Sequence, residues 1–280
     1  MNIITSIGEM QAYSDKMRKE GKTIAFVPTM GNLHDGHISL VRKAKKLGDI
    51  VVVSIFVNPT QFGPNEDYKS YPRTFEEDRK KLEKENTDII FFPDAKEMYD
   101  KPKTYVYVED YSRILCGKSR PTHFRGVTTV VSKLFNIVKP HIAVFGEKDA
   151  QQAFIIKKMV KDLNFDIKIE TGEIKREPNG LALSSRNAYL TDEEHSKASL
   201  IYKSLREAEN MIRRGEKNPE NIVIFIRNFL NKNKVGKIDY VEIVNDDDFL
   251  PTESLTGNIR ILVAVYVGKA RLIDNIKVSV

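Results

Sequence analysis

Residues 23–47 read TIAFVPTMGNLHDGHISLVRKAKKL. An apolar stretch, 23–28, has the character of a buried strand. It runs into a Met30-Gly31 turn, and a helical pattern follows near 36–47. There Ile38, Val41, Ala44 and Leu47 fall on one face. His34 and His37 sit on or just before the first helical turn, with Gly36 between them. A helix N-terminus offers unpaired N–H groups and the positive end of a dipole, so it favours phosphate. Imidazole N–H groups beside it can donate to phosphate oxygens as charge builds in a transition state. Gly36 removes a side chain where a nucleotide has to come close. Two other readings of H-x-G-H stay open, packing and metal ligation. Zinc would need further ligands, and only His123, His141, His195 and Cys116 remain.

Outward from this unit, strands and helices alternate. DIVVVSIFVN (49–58) is apolar enough for a buried strand. RTFEEDRKKLEKEN (73–86) reads as a helix with Thr74 as N-cap and Glu77 completing a capping box. TDIIFFP (87–93) is a strand, and TYVYVED (104–110) alternates like a strand with one exposed face. GVTTVVSKLFNIVKP (126–140) places Val127, Val130, Val131, Leu134, Phe135 and Val138 on one helical stripe. HIAVFG (141–146), DAQQAFIIKKMVKDLN (149–164) and FDIKIETGEI (165–174) read as strand, helix and strand. Fully apolar strands alternating with amphipathic helices predict an α/β fold, a Rossmann-like parallel sheet with helices on both faces. After KREPNG (175–180) the character changes. Two helices, 191–215 and 219–233, are followed by strands in IDYVEIV, IRILVAVYV and ARLIDNI, a smaller α+β domain. The expected division is 1–176 and 177–280, with Pro178 and Gly180 supplying the break.

The bulk properties of the 280 residues exclude several classes. No apolar run approaches the roughly 20 residues of a membrane span, and the N-terminus lacks a signal-peptide core. A single cysteine excludes an internal disulfide and fits a reducing cytoplasm. The net charge of +6, from 45 basic and 39 acidic residues, suits an anionic ligand or a solvated basic surface. No aromatic-interleaved RNA-binding motif is present.

In a parallel α/β sheet, ligands bind outside the carboxyl ends of the strands. The segments that follow the strands are unusually polar: PTMGNLHDGH, NPTQFGPNEDYKSYPRT and GEKDAQQ. Lys148 is a compact cation suited to a polyphosphate. Ser184, Ser185 and Arg186, in LSSRN (183–187), are donors that could clamp phosphates. Gln61 and Gln152 are neutral amides able to hold the hydroxyls and carboxylate of a small acid. Glu77 and Asp78 lie at a helix start, where capping or magnesium binding would each account for them.

PTMGNLHDGH, VNPTQFGPNEDYKSYPRT, HFRGVTTVV, FGEKDAQQ and NGLALSSRN, in that order across 27–187, resemble the motifs of pantoate–β-alanine ligases, in the nucleotidylyltransferase superfamily. The resemblance implies ATP-dependent condensation of (R)-pantoate with β-alanine through a pantoyl adenylate, with Mg2+ accompanying ATP. By matching motif, the ATP site comprises Met30, Gly31, Asn32, Leu33, His34, Asp35, Gly36 and His37. Gly146, Glu147, Lys148 and Asp149 join it, as do Leu183, Ser184, Ser185 and Arg186. His37 is then the proton donor, with His34 and Lys148 beside it on the phosphates. Gln61 and Gln152 hold pantoate, and Asp78 and Glu77 are the magnesium-side acids. A main-chain ATP contact falls at Lys175, where the family commonly has an apolar residue. The family also implies a smaller domain that closes over ATP, and a cytoplasmic homodimer that binds neither nucleic acid nor membrane. Two rivals are a nucleotidylyltransferase that leaves the nucleotide on its product and an RNA-binding protein of synthetase-like fold.

Overall fold

The computed structural model describes residues 1–64 and 66–280. Two compact units emerge. The first comprises Met1–Glu147 with Gln152–Glu173, the second Lys148–Gln151 with Ile174–Val280. The main division therefore falls a few residues before the 176/177 expected from sequence, and Lys148–Gln151 belongs to the second unit.

In the first unit the order is β1 (Asn2–Ile4), α1 (Ile7–Lys19), β2 (Ile24–Thr29), α2 (Asp35–Lys45) and β3 (Ile50–Ile55). There follow α3 (Phe75–Lys84), β4 (Ile89–Phe91), α4 (Ala95–Met98), α5 (Cys116–Ser119) and α6 (His123–Val138). β5 (Ile142–Gly146), α7 (Ala150–Asp162) and β6 (Lys168–Gly172) complete the run. Among the described residues the sheet has six strands in the order β1-β4-β3-β2-β5-β6, and every pairing is parallel. Ala25, Phe26, Val27, Val52 and Val53 are all fully buried, as strands covered on both faces require. The chain moves outward from β2 through β3 to β4, then returns to lay β5 against the other side of β2. The strand order thus reverses between β2 and β5, which is where such sheets open a ligand crevice.

Two sequence-based expectations need correction, and two elements were not expected. TYVYVED forms no strand. Its backbone groups at Val106 are engaged by hydroxyls of α6: the Val106 N–H donates to Thr129 Oγ1 (3.0 Å), and Thr128 Oγ1 donates to the Val106 carbonyl (2.6 Å). The capping box at Thr74 does not form: Thr74 makes no side-chain cap hydrogen bond, and its Oγ1 donates to Asp78 Oδ2 (3.3 Å). β1 and α1 stand outside the expectations, although Ser6 accepts the Glu9 N–H as an ordinary N-cap.

The second unit contains α8 (Asp192–Arg213), α9 (Pro219–Lys232), β7 (Lys237–Asn245), β8 (Asn258–Val267) and β9 (Ala270–Ser279). The strands form an antiparallel sheet in chain order. Thr191 and Glu194 make a full capping box at α8, and Asn218 with Pro219 starts α9. Ala198, Ile201, Leu205 and Ala208 of α8 share one core with Ile222, Ile226 and Leu230 of α9 and alternate residues of β8, Ile261, Val263 and Val265.

Candidate functional site

The turn after β2 is held from below by one carboxylate. Gly31 (φ +81°) and Asn32 (φ +49°) both adopt left-handed backbone, which turns successive N–H groups inward. Asp78, fully buried in the first turn of α3, receives them: the Asn32 N–H reaches Oδ2 at 2.8 Å and the Leu33 N–H reaches Oδ1 at 2.7 Å. A Cβ on Gly31 would lie 3.0 Å from Asp78 Oδ2 and 3.1 Å from Ile55. Lys81, one helical turn later, donates to the Leu33 carbonyl at 2.5 Å. Burial pushes the Asp78 carboxyl above the usual aspartate range, against the pull of its hydrogen bonds to Leu33, Asn32 and Thr74. Asp78 therefore clamps the turn. Leu33 is well held: its side chain lies in the core with Val27, Ile38 and Leu82, and both its backbone groups are hydrogen-bonded. It anchors the turn, and its carbonyl oxygen keeps one further lone pair.

The clamp delivers His34 to the N-cap of α2. The Gly36 N–H donates to His34 Nδ1 (3.1 Å), and the His34 N–H donates to His37 Nδ1 (3.3 Å). The H-x-G-H spacing is thus a capping box built from imidazoles, with His37 in the position usually held by Glu or Gln. A nitrogen that accepts a backbone N–H carries no proton. Each neutral ring therefore holds its proton on Nε2, and both can act as Nε2–H donors. The ring centroids are 4.1 Å apart. Asp35 and Gly36 occupy the first turn of the same helix.

Gln61 is fixed with comparable care. Asn58, Pro59 and Thr60 lead into a single 3₁₀ turn that ends on Gln61, just after β3. Its side chain is buried, with Oε1 accepting from Asn58 Nδ2 (3.1 Å) and Nε2 facing Met30 Sδ. Its carbonyl accepts from Arg120 (3.3 Å) and from His123 Nδ1 (2.9 Å). Arg120 is in turn held by a two-pronged pair with Glu66, both contacts at 2.6 Å. Burial pushes the Glu66 carboxyl up, but Arg120 outweighs this and leaves it below the usual range. Asn58, Thr60, Tyr99, Arg120 and Glu66 were not singled out as site residues in the sequence, and His123 only as one of the remaining histidines. Only the Asn-Pro helix start at Asn58 carried a local signal.

The close approach of α6 to this turn depends on Gly126. A Cβ there would lie 2.2 Å from the Thr60 carbonyl oxygen and 2.6 Å from the Gln61 nitrogen. Gly126→Ala is accordingly expected to cost about 1–3 kcal/mol by overpacking and to displace the Gln61 turn. Thermal melts and a structure of the variant check both.

Gln152 is half-buried near the start of α7, and its side chain makes no hydrogen bond among the described residues. The segments bearing Gln61, the histidines and Gln152 follow β3, β2 and β5, which are adjacent strands of the parallel sheet. Gly146 ends β5, and Glu147 at its tip accepts from Thr171 Oγ1 (2.9 Å). In the second unit, Lys148 and Ser184 line one small crevice together with Asp274. The Lys148 carbonyl accepts from Asn275 Nδ2 (3.1 Å). Ser184 Oγ accepts the Arg186 N–H (3.3 Å) and so starts the short helix that carries Ser185 and Arg186. The Lys175 carbonyl is taken by the Leu183 N–H (2.9 Å). Asp149, half-buried, closes the turn after β5. Beneath this lies a polar cluster that sequence reasoning missed. Arg176 pairs with buried Asp274 at 2.6 and 2.9 Å and lies 3.7 Å from the Tyr202 ring centre.

Glu77 and Asp78, the expected magnesium-side acids, lie in the first turn of α3. Asp78 has both oxygens on backbone N–H groups, and Glu77 is exposed on α3. Among the described residues, no group of three His, Cys, Asp or Glu side chains is placed to hold a metal ion. Magnesium commonly binds through substrate phosphates, with few protein ligands.

The family model described as pantoate-beta-alanine ligase matches residues 2–277. The chain is 56% identical to the pantothenate synthetase of Thermotoga neapolitana over 276 residues, 98% of this chain and 99% of that one. Its fold matches the crystal structure of pantothenate synthetase from Thermus thermophilus with a TM-score of 0.93, at 38% identity and 99% coverage of both chains. A pantoate-beta-alanine ligase from Francisella tularensis, complexed with beta-gamma ATP and beta-alanine, matches with a TM-score of 0.82 at 40% identity, covering 99% of this chain and 97% of that one. A model match across nearly the whole chain, together with relatives this similar over their full length, establishes that the chain belongs to the pantoate–β-alanine ligase family.

Proposed function

We propose that this protein condenses (R)-pantoate with β-alanine at the expense of ATP, forming pantothenate, AMP and diphosphate. In the first step the pantoate carboxylate attacks the α-phosphorus and diphosphate departs, leaving pantoyl adenylate. In the second, the β-alanine amine attacks the acyl carbon, the bond to the phosphate oxygen breaks, and AMP leaves with that electron pair. ATP is the co-substrate, and Mg2+ is its usual partner. The chemistry asks the chain to orient groups and stabilise charge, and no covalent enzyme intermediate is needed.

The observation that carries this reading is the imidazole capping box. It holds two Nε2–H donors at a helix N-terminus, at the carboxyl edge of the sheet. Donors so placed suit the charge that builds on phosphate oxygens. We assign His37 and His34 this role, with Lys148, Ser184, Ser185 and Arg186 as further phosphate contacts. Gln61 and Gln152 are assigned to pantoate. A neutral amide can orient the acid through its oxygens without drawing off the negative charge that makes the carboxylate nucleophilic. The reading also carries over the family's homodimeric state, which sedimentation tests directly, and a cytoplasmic location. Among the described residues no helix is long and apolar enough to cross a membrane.

The decisive experiment measures AMP release with pantoate and β-alanine each omitted in turn. AMP should appear as a free product only when both are present. A nucleotide retained on the product would instead favour the nucleotidylyltransferase alternative. Gln61→Ala and Gln152→Ala should each lose about 1–3 kcal/mol in kcat/KM for pantoate, with ATP binding unaffected. Loss of ATP binding with pantoate dependence unchanged would reassign the pocket.

A further inference from the structure

We propose that Tyr99 is a positioning residue for the acid substrate: its hydroxyl helps set the facing of the Asn58 and Gln61 side-chain amides, so that Gln61 meets the substrate as a hydrogen-bond donor. The proposal rests on the assignment of Gln61 to pantoate.

Amide orientation in a side chain is settled by its partners. Around Asn58, two of these are backbone groups with only one possible role. The Thr60 N–H can only donate, and it lies 3.3 Å from Asn58 Oδ1. The Gly126 carbonyl can only accept, and it lies 3.1 Å from Nδ2. The Asn58 oxygen therefore faces Thr60 and its nitrogen faces Gly126. Tyr99, just after α4, brings its hydroxyl to 2.8 Å from Asn58 Oδ1, to which it donates, and to 3.3 Å from Thr60 Oγ1. Thr60 Oγ1 donates to the same oxygen at 3.0 Å.

The consequence passes to Gln61. Its nearest polar atom to Asn58 Nδ2 must be an acceptor, which puts Oε1 inward and leaves Nε2 on the other side, towards Met30. One amide proton can face the thioether, a weak acceptor, and the amide has a second. The partner this geometry selects is an oxygen acceptor on the substrate, a carboxylate or a hydroxyl oxygen. Asn58 is 1% exposed and Gln61 8%, so an amide turned the wrong way here would leave buried groups unpaired. Without the Tyr99 hydroxyl, Asn58 Oδ1 keeps only Thr60, and the inverted arrangement is disfavoured less.

The test is a double-mutant cycle in pantoate kinetics at saturating ATP and β-alanine, with wild type, Tyr99→Phe, Gln61→Ala and the double variant. Tyr99→Phe should raise the pantoate KM about fivefold, the scale of one neutral hydrogen bond, and leave the ATP KM unchanged. In the Gln61→Ala background it should change the pantoate KM less than about twofold, because the group it orients is gone. A pantoate KM unaltered by Tyr99→Phe, with or without a lower melting temperature, overturns the proposal. So does an equal effect in both backgrounds, which would mean that Tyr99 acts through packing. If Tyr99→Phe raises the pantoate KM but Gln61→Ala does not, the Gln61 assignment itself fails, and the proposal falls with it.

Discussion

His37→Ala is expected to slow pantoyl adenylate formation about 100-fold or more while leaving the protein folded. Loss of one well-placed donor to a charge that develops in the transition state has a cost of this order. The structure sharpens the reason. His37 Nδ1 is occupied by the His34 N–H, so the ring has one nitrogen, Nε2, with which to donate. Alanine has the highest helix propensity, and the half-buried ring is not part of the α2 core. The structural loss is one capping contact, about 1 kcal/mol. Single-turnover measurement of diphosphate release isolates the first step. Nitrogen-15 spectra of the wild-type protein should show both neutral rings protonated at Nε2. Adenylation within a few-fold of wild type, or an Nδ1–H form for His37, would show that this ring is not the donor.

Asp78→Asn is expected to destabilise the protein even without any ligand, and to reduce adenylation at least tenfold. The carboxylate accepts two backbone N–H groups on its two oxygens. Asparagine offers one oxygen, and its NH2 would face the second N–H. A buried donor left unpaired costs about 1–3 kcal/mol, partly offset because burial already disfavours the charged carboxyl. The effect on rate comes from position. His34 follows Leu33 directly, and a displacement of about 1 Å at reacting groups can cost on the order of 100-fold. The experiment separates this from a magnesium role. A clamp predicts a lower melting temperature in the ligand-free protein. A metal ligand predicts an unchanged ligand-free melt and a raised magnesium requirement, and that outcome would refute the clamp.

Much of the site was legible because its parts are local. Gly31 and the helix start after β2 declare themselves through turn chemistry and apolar periodicity within about twenty residues. The helix expected over 191–215 is present as α8, and the structure adds a capping box of Thr191 and Glu194 at its start. The failures share a cause. At Thr74 the spacing was right, but the hydroxyl found a better partner in the buried Asp78 carboxylate. In TYVYVED the alternation was right, but α6 supplied hydroxyls to Val106 where a neighbouring strand was expected. Tertiary partners overrode a local preference in both.

The sequence by itself determined the succession of buried strands and amphipathic helices, the polar segments that follow β2, β3 and β5, and the change of architecture near residue 175. These are carried by periodicity and by the order of residues along one chain. Only the tertiary structure decided that β3 and β5 flank β2, that each imidazole Nδ1 meets a backbone N–H, and that Asp78 serves the turn. It also decided which way the Gln61 amide faces. Asp78 meets Asn32 across 46 residues, and Asn58 meets Gly126 across 68. A hydrogen bond acts over about 3 Å. Contacts between residues so far apart in the chain leave no periodic trace in it, and they exist only once the strands have taken their register.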